Sequence, residues 1–277
     1  MVASLALFCY IPTGTPFFAK EKKLSNRQFW LLTFLGTLIS SCVSPSLDVP
    51  YGLQKGHLSL IPARTAVIGC QSWPQEARYQ KLPLSNTTSE EISQLCTSYD
   101  KYIIQGFTGQ PFMRGLSPQA VKKTISRSQH LDLLNQLQTL WQHQKEDCNQ
   151  CPSAPSFYVN TISKRPKWQE WLHLFSKTVH YADAILLPFI TFVSKNKIDD
   201  GGILSATIQA EIVLLLIDTN SSELLWAGGR QATASSKKST SVTMDFPDFP
   251  SWQTLENRLF HQDLWKSYPG YQMSFGK

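Results

Sequence analysis

The sequence lacks the short motifs that mark common catalytic classes. It contains no Gly-x-Ser-x-Gly, which would expose a nucleophilic serine, and no His-Glu-x-x-His, which would supply two zinc ligands and a base. Three glycines lie between residues 105 and 118, but their spacing is not that of a dinucleotide-binding loop. We therefore expect a protein that is not an enzyme, with no catalytic residues, no metal and no cofactor.

The excess of positive over negative charge is small. The formal net charge is +6, and it falls to about +3 without residues 1–41, which carry four Lys or Arg and one Glu. A charge this small does not argue for nucleic acid as a partner. Apolar residues make up 42% of the chain and aromatic residues 12%, which is typical of a globular core and not of disorder.

Residues 29–42 carry the prediction of where the protein resides. Phe29 to Ile39 is an uncharged stretch of eleven residues, too short for a membrane-spanning helix, which needs about 20 apolar residues. A basic flank precedes this stretch, and two serines and Cys42 follow it. A basic flank, a short apolar core and small residues before a cleavage site are the features of a secretory signal.

The end of the stretch, Ile39-Ser40-Ser41-Cys42, resembles the lipobox of bacterial lipoproteins. The resemblance implies cleavage between Ser41 and Cys42 and attachment of acyl chains, palmitate among them, to Cys42. Residues 1–41 would then be the signal peptide, with 1–19 an over-extended start. The residue after Cys42 is Val43 and not aspartate. In enteric lipoproteins the absence of aspartate at this position implies an anchor in the outer membrane, with the protein facing the periplasm. The alternative is an ordinary buried helix or strand that happens to end in cysteine.

The mature chain divides into a tether and one domain. Residues 42–63 are rich in proline and glycine and show little apolar periodicity, which predicts a flexible tether behind the lipidated cysteine. Residues 64–277 are predicted to form a single globular α/β domain. Apolar spacing and capping residues predict strands at 64–70, 156–162, 182–193, 205–218 and from 224, and helices at 89–103, 118–146 (broken near 126–128), 166–179 and 252–265.

Residues 182–235 predict an antiparallel meander. Turn signals at Asp199–Gly202 and Asn220–Ser222 separate three β-forming runs. The continuous apolar run Ile212–Ile217 predicts a central strand that is covered on both faces. Pro188 predicts an edge position or a bulge. The fold class is therefore α/β in the α+β sense: a mixed sheet with a C-terminal antiparallel meander and helices packed on it.

Two segments of this half, Tyr181–Pro188 and Ala210–Trp226, are similar to segments of bacterial envelope lipoproteins. These proteins include relatives of the penicillin-binding-protein activator LpoB and the N-terminal domain of TolB, and Ser222 stands where they have a turn glycine. The resemblance implies an α/β body that binds another envelope protein or assists assembly, without catalysis. From the residues alone, Asp218 and Glu223 flank a hairpin turn in which Asp218 accepts backbone N–H bonds. A carboxylate pair for acid–base chemistry is the alternative.

The segment from Gln105 to Pro118 is the least regular part of the domain. Three glycines and two prolines break any regular element, and aromatic side chains lie among them. A loop with exposed aromatic residues and an arginine is typical of a binding surface, so we expect partner binding at Phe107, Phe112, Met113 and Arg114. The alternative is a loop whose aromatic side chains fold back to cover the core.

Four cysteines remain after the leader and Cys42, namely Cys70, Cys96, Cys148 and Cys151. An even number fits disulfides in an oxidising compartment, and the sequence does not choose among the three pairings. For Cys148-x-x-Cys151 we favour a disulfide, either local or to Cys70 or Cys96. The alternative function is an exported enzyme, a hydrolase or a thiol-active protein, that uses this Cys-x-x-Cys pair.

Overall fold

The computed structural model describes residues 61–72, 87–108, 113–128, 130, 132–141, 153–239 and 245–271. All of them belong to the unit formed by residues 45–277. The predicted signal peptide, Cys42 and the tether up to residue 60 lie outside the described residues, so these assignments stay predictions.

The described residues contain six strands, six α-helices and two short 3-10 helices. In chain order these are β1 (Thr65–Val67), β2 (Gln71–Ser72), α1 (Ser89–Phe107), β3 (Gly115–Leu116), α2 (Pro118–Arg127), α3 (Asp132–Leu140), α4 (Ala154–Asn160), a 3-10 helix (Ile162–Lys164), α5 (Pro166–Thr178), β4 (Ala184–Asp200), β5 (Ile203–Asp218), β6 (Leu224–Ser239), α6 (Trp252–Leu259) and a second 3-10 helix (Gln262–Trp265).

The strands form one mixed sheet. Its order is β3-β1-β4-β5-β6, and β2 also pairs with β4, beyond the end of β1. β1 runs parallel to β3 and β4, and β2 runs parallel to β4. β4, β5 and β6 are antiparallel neighbours. This topology confirms the predicted α+β class with a mixed sheet and a C-terminal meander.

The two faces of the sheet carry separate apolar clusters. Helices α2 to α5 pack on one face, and α1 and α6 pack on the other. The run Ile212–Ile217 alternates between the faces: Val213, Leu215 and Ile217 join the first cluster, and Ile212, Leu214 and Leu216 join the second. All six are buried, which confirms the prediction of a strand covered on both faces.

Capping residues set the starts of several helices. In α1 the Glu91 N–H donates to Thr88 Oγ1 at 3.2 Å, and the Thr88 N–H donates to Glu91 Oε2 at 2.9 Å, which is a capping box. Ser117 and Ser251 are the predicted N-caps of α2 and α6, and their hydroxyl groups accept from the N–H groups of Ala120 and Thr254. The predicted break in the helical region after Pro118 is confirmed, because α2 ends at Arg127 and α3 begins at Asp132.

The predicted strand at 156–162 is wrong, because most of this segment forms helix α4. The Ser156 N–H donates to the side chain of Ser153, and Pro155 occupies the first turn, where its missing N–H costs nothing. Phe157 and Tyr158 are buried against the sheet. The aromatic and β-branched residues of this segment favour a strand. The Ser153 cap and the buried contacts of the Phe157 and Tyr158 rings stabilise a helix instead.

Pro188 does not lie on an edge strand. β4 is internal, with β5 on one side and β1 and β2 on the other. The pairing of β4 with β1 ends at Leu186, and its pairing with β2 begins at Phe189. Pro188 therefore lies at the gap between β1 and β2. On this side of β4 no paired strand residue requires a hydrogen bond from the N–H that proline lacks. The irregularity of register lies further on, between Ile190 and Phe192.

A cleft beside the edge of strand β6 as the candidate site

A cleft of about 320 Å³ lies where the start of β6 meets the end of α4. Its lining residues are Tyr158, Val159, Ser163 and residues 221–227. In the described sheet β6 is the last strand and pairs on one side only, with β5. One wall of the cleft is therefore formed by the first residues of a strand that lies at the edge of the sheet.

The hydroxyl of Tyr158 holds the two walls of the cleft together. It donates a 2.6 Å hydrogen bond to the backbone carbonyl of Ser222, and it accepts a 3.2 Å hydrogen bond from the indole N–H of Trp168. Tyr158 and Trp168 are fully buried. Burial raises the pKa of the Tyr158 hydroxyl above its ordinary value of 10, so this group is a neutral donor at every physiological pH.

The turn before β6 is built around Asp218. Its Oδ1 accepts hydrogen bonds from the N–H groups of Asn220 and Ser221, at 2.8 Å and 2.7 Å. The predicted structural role of Asp218 is confirmed. Ser222 has a φ of 61°, in the left-handed region that glycine adopts most easily. This explains why glycine is the expected residue at this place in the turn, and it shows that serine adopts the same conformation here.

The cleft combines one charged group with an apolar wall. Glu223 and Val159 are both exposed, and 44% of the surface of Val159 is accessible to solvent. Among the residues that line the cleft, Glu223 is the acidic one. Within the described part of the chain no hydrogen bond or ion pair engages its carboxylate. The cleft therefore places a carboxylate beside an apolar surface.

The sequence-predicted binding surface is not assembled as expected. Met113 is buried at 3% exposure, and Phe107 is the last residue of α1, not a loop residue. The Phe107 ring packs edge-on against Trp265 and Tyr268, with centroids 5.7 Å and 5.6 Å away. The expected exposure is therefore wrong at Met113, and Phe107 is half-buried against the core, as the alternative predicted. Partner binding at these residues stays a prediction. Arg114 is exposed, its carbonyl accepts from the Thr65 N–H at 3.0 Å, and Phe112 lies outside the described residues.

The structure joins Cys70 to Cys96 in a disulfide, with Cα atoms 5.3 Å apart. The bond ties the segment that links β1 and β2 to the first half of α1. Nearby, the Cys70 N–H donates to Asp100 Oδ1 at 2.9 Å. Cys148 and Cys151 lie outside the described residues, so both their predicted disulfide and the thiol-active alternative stay predictions.

Two further observations describe the chemistry of the described part of the chain. No group of three or more His, Cys, Asp or Glu side chains comes together there in an arrangement that could hold a metal ion. No helix in the same residues has the length and apolar character needed to cross a membrane.

Sequence reasoning missed the cleft for an identifiable reason. The segment 156–162 was interpreted as a strand, so Val159 and Ser163 were not placed beside the turn at 220–223. The capping pattern Ser153-x-x-Ser156 with Pro155 in the first turn was the signal that could have placed α4. No sequence pattern within β6 predicts that this strand lies at the edge of the sheet.

Comparisons with known proteins name no family for this chain. No family model matches it, and no curated protein matches it. Similar solved structures include a lipoprotein, GNA1162 from Neisseria meningitidis, at 10% identity and a TM-score of 0.31, covering 71% of this chain and 91% of that protein.

Two further solved structures show the same weak similarity. The PelC dodecamer from Paraburkholderia phytofirmans has 9% identity and a TM-score of 0.29, covering 73% of this chain and 84% of PelC. The hypothetical protein CT253 from Chlamydia trachomatis has 10% identity and a TM-score of 0.32, covering 75% and 96%. Similarities at this level carry no argument about function. The resemblance to LpoB and TolB stays a prediction.

Proposed function

We propose that this chain is a non-catalytic lipoprotein of the bacterial cell envelope, anchored by acyl chains on Cys42, that binds another envelope protein. The location rests on the basic flank, apolar core and lipobox-like end of residues 20–42. The Cys70–Cys96 disulfide supports it, because disulfides persist in oxidising compartments such as the periplasm. Val43 supports an anchor in the outer membrane, with the domain facing the periplasm.

The binding role rests on one observation, the cleft beside β6. At the start of β6 an apolar wall that includes the exposed Val159 lies beside the carboxylate of Glu223. Such an arrangement is suited to a segment of another protein, because apolar contact supplies affinity and a charged group supplies selectivity. The acyl anchor and tether would hold this surface within reach of the envelope.

The anchor is tested by intact mass spectrometry of the protein from the membrane fraction of its own host. The expected mass is that of a chain beginning at Cys42 with diacylglycerol and acyl additions, and the additions should be lost in Cys42→Ala. Cys9→Ala is the matched control, because Cys9 would leave with the signal peptide. A mass that still includes Phe29–Ile39 would contradict the proposal.

The binding surface is tested by placing a photocrosslinking amino acid at Val159 in intact cells. Leu174 on α5 is the matched control, because it is also an apolar helix residue with similar exposure, 38% against 44%. We expect one adduct of defined mass from position 159 and none from position 174. Equal labelling at both positions, or none at position 159, would contradict the role of the cleft.

A further inference from the structure

Three strands of the sheet begin at the same end of the domain. β1 runs parallel to β3 and β4, and its first residue, Thr65, pairs with Gly115 and Ala184. Arg64 and Arg114 immediately precede β1 and β3, and both are exposed. Two arginines on neighbouring strands therefore lie together at this end of the sheet.

Tyr181 lies at the same end, just before β4. With 73% of its surface accessible to solvent, it is the most exposed large apolar or aromatic side chain in the described part of the chain. The backbone φ is 54° at His180 and 58° at Tyr181, in the left-handed region that residues other than glycine rarely adopt. The Tyr181 N–H donates to the Ser176 carbonyl at 2.7 Å, and the guanidinium of Arg64 donates to the His180 carbonyl. These contacts hold the strained turn, which keeps the tyrosine ring outside the core.

The cations at this end are grouped on one side of the sheet. Lys177, in the last turn of α5, is a third exposed cation beside the tyrosine. Of the carboxylates at this end, Asp183 accepts from the Arg64 N–H at 2.9 Å, and Asp218 accepts from two N–H groups of its own turn. Glu223 precedes β6, which β5 separates from β4. The side formed by β1, β3 and α5 therefore presents cations around an exposed aromatic ring.

The chain that leads to the predicted lipid anchor enters the domain at this surface. We name the five residues Arg64, Arg114, Lys177, His180 and Tyr181 the strand-start surface. The first described residue, Ile61, is close to Arg64 along the chain. If residues 42–60 form the predicted tether, a loose chain of this length spans roughly 25 Å. The strand-start surface is therefore the part of the domain that the anchor would hold nearest to a bilayer.

The side chains of this surface match the headgroup layer of a phospholipid bilayer. Tyrosine is enriched at membrane–water interfaces, because its ring contacts apolar groups while its hydroxyl stays in water. Arginine and lysine donate hydrogen bonds to phosphate oxygens, and each basic side chain adds attraction to anionic lipids. An exposed tyrosine with three cations around it, at the point where the anchored chain enters, is thus suited to a lipid surface.

We propose that the strand-start surface rests on the phospholipid layer that holds the acyl anchor, with Tyr181 among the headgroups and Arg114 and Lys177 beside lipid phosphates. This inference rests on the proposed acyl anchor and adds a second contact with the membrane, made by the domain itself. β4 extends over on the order of 50 Å from this end. The contact would therefore point the turn between β4 and β5 away from the bilayer.

The test uses the lipidated protein, purified and reconstituted into vesicles of phosphatidylethanolamine and phosphatidylglycerol, with benzoylphenylalanine at position 181. Illumination adds the benzophenone carbonyl across a nearby C–H bond, so an adduct has the summed mass of protein and lipid. The matched control has the same group at Ile203, which is 51% exposed and lies at the far turn. In intact mass spectrometry we expect lipid adducts to be at least about fivefold more abundant from position 181 than from position 203.

Variants test the contribution of the cations. Arg114→Gln combined with Lys177→Gln should lower the yield of lipid adduct at position 181 about threefold, because each cation contributes attraction to anionic lipid. Lys237→Gln combined with Lys238→Gln is the matched control. It removes the same charge from exposed positions of β6 that pair with β5 near the far turn, and it should leave the yield unchanged.

Four outcomes would overturn the inference: no lipid adduct at position 181, equal yields at positions 181 and 203, equal losses in the two double variants, or a product with the mass of two protein chains in place of the lipid adduct. The anchor and this inference fail in distinguishable ways. A purified chain without acyl additions would remove the anchor and the inference together. A chain that carries the acyl additions but gives no lipid adduct at position 181 would sink this inference alone.

Discussion

The hydroxyl of Tyr158 donates a 2.6 Å hydrogen bond to the backbone carbonyl of Ser222, which joins helix α4 to the turn before β6. The two residues are 64 positions apart in the chain, and both are buried. This contact helps to hold α4 beside the start of β6, where the cleft lies. Several of the stability predictions below depend on contacts of this kind, between residues far apart in the chain.

Tyr158→Phe should lower the free energy of unfolding by about 1–3 kcal/mol, because it leaves the buried carbonyl of Ser222 and the indole N–H of Trp168 without their partner. Urea denaturation followed by tryptophan fluorescence measures the change. Tyr181→Phe is the matched control: Tyr181 is 73% exposed, and its variant should stay within about 0.5 kcal/mol of the wild type. A similar loss in both variants would show that the Tyr158 hydrogen bond is not what stabilises the contact.

Replacing Cys70 and Cys96 together by serine should lower the free energy of unfolding by about 3 kcal/mol, since the bond closes a loop with a sequence separation of 26. Denaturation with and without reductant measures the effect. Reductant should destabilise the wild type by a similar amount and the double variant by much less. A reductant effect that persists in the double variant would have to come from Cys148 and Cys151.

Glu91 should make the stability depend on pH in the acid range. Burial raises the pKa of its carboxyl, but hydrogen bonds from Lys195, Thr88 and Trp252 outweigh burial and hold that pKa below its ordinary value of 4.5. The folded pKa is thus lower than the unfolded pKa, so the stabilisation is fully present above pH 4.5. It is lost as the pH falls through the lower folded value.

Glu91→Gln isolates this contribution, because glutamine keeps the capping box but removes the charge. At pH 7 the free energy of unfolding should fall by about 0.5–1 kcal/mol. The difference from the wild type should shrink below pH 4.5, where the wild-type carboxyl becomes protonated. Denaturation curves at pH 7, 5, 4 and 3 measure it, and a difference that does not vary with pH would contradict the ionic origin.

Gly106→Ala should destabilise the protein although the change lies inside a helix, where alanine is normally better than glycine by about 1 kcal/mol. A Cβ at this position would lie 2.4 Å from the ring of Trp265, which is fully packed in the second apolar cluster. We expect a loss of about 1–3 kcal/mol from overpacking. In a Trp265→Leu background, Gly106→Ala should lower the free energy of unfolding by less. If Gly106→Ala alone is as stable as the wild type in urea denaturation, the Trp265 ring moves aside and the overpacking argument is wrong.

Local patterns predicted most of the elements. The cap at Thr88–Glu91, the helix after Pro118, the amphipathic helix at 166–179 and the three strands of the meander are each encoded by residues close together in the chain. The lengths of β4 and β6 were underestimated, because their last residues, Lys195–Asp200 and Ser235–Ser239, are polar except for Ile198. Their strand conformation comes from pairing with β5.

The predicted binding surface at Phe107 and Met113 shows what local sequence patterns cannot predict. Phe107 and Met113 occur among glycines and prolines, a pattern typical of exposed binding loops, yet Trp265 and Tyr268, more than 150 residues further along the chain, cover Phe107. Exposure is a property of the assembled surface, and a glycine-rich segment has the same sequence whether its aromatic side chains face solvent or core.

The sequence by itself determined the class of fold, the caps, the turn built on Asp218 and the prediction of an acylated leader ending at Cys42. Each depends on the conformational preferences of a few neighbouring residues or on a short linear signal. Only the tertiary structure decided that Cys70 pairs with Cys96, that α4 is a helix against the sheet, and that the first residues of β6 border a cleft. These features depend on which distant segments bury their apolar surface together, and that choice is made by the free energy of the whole core.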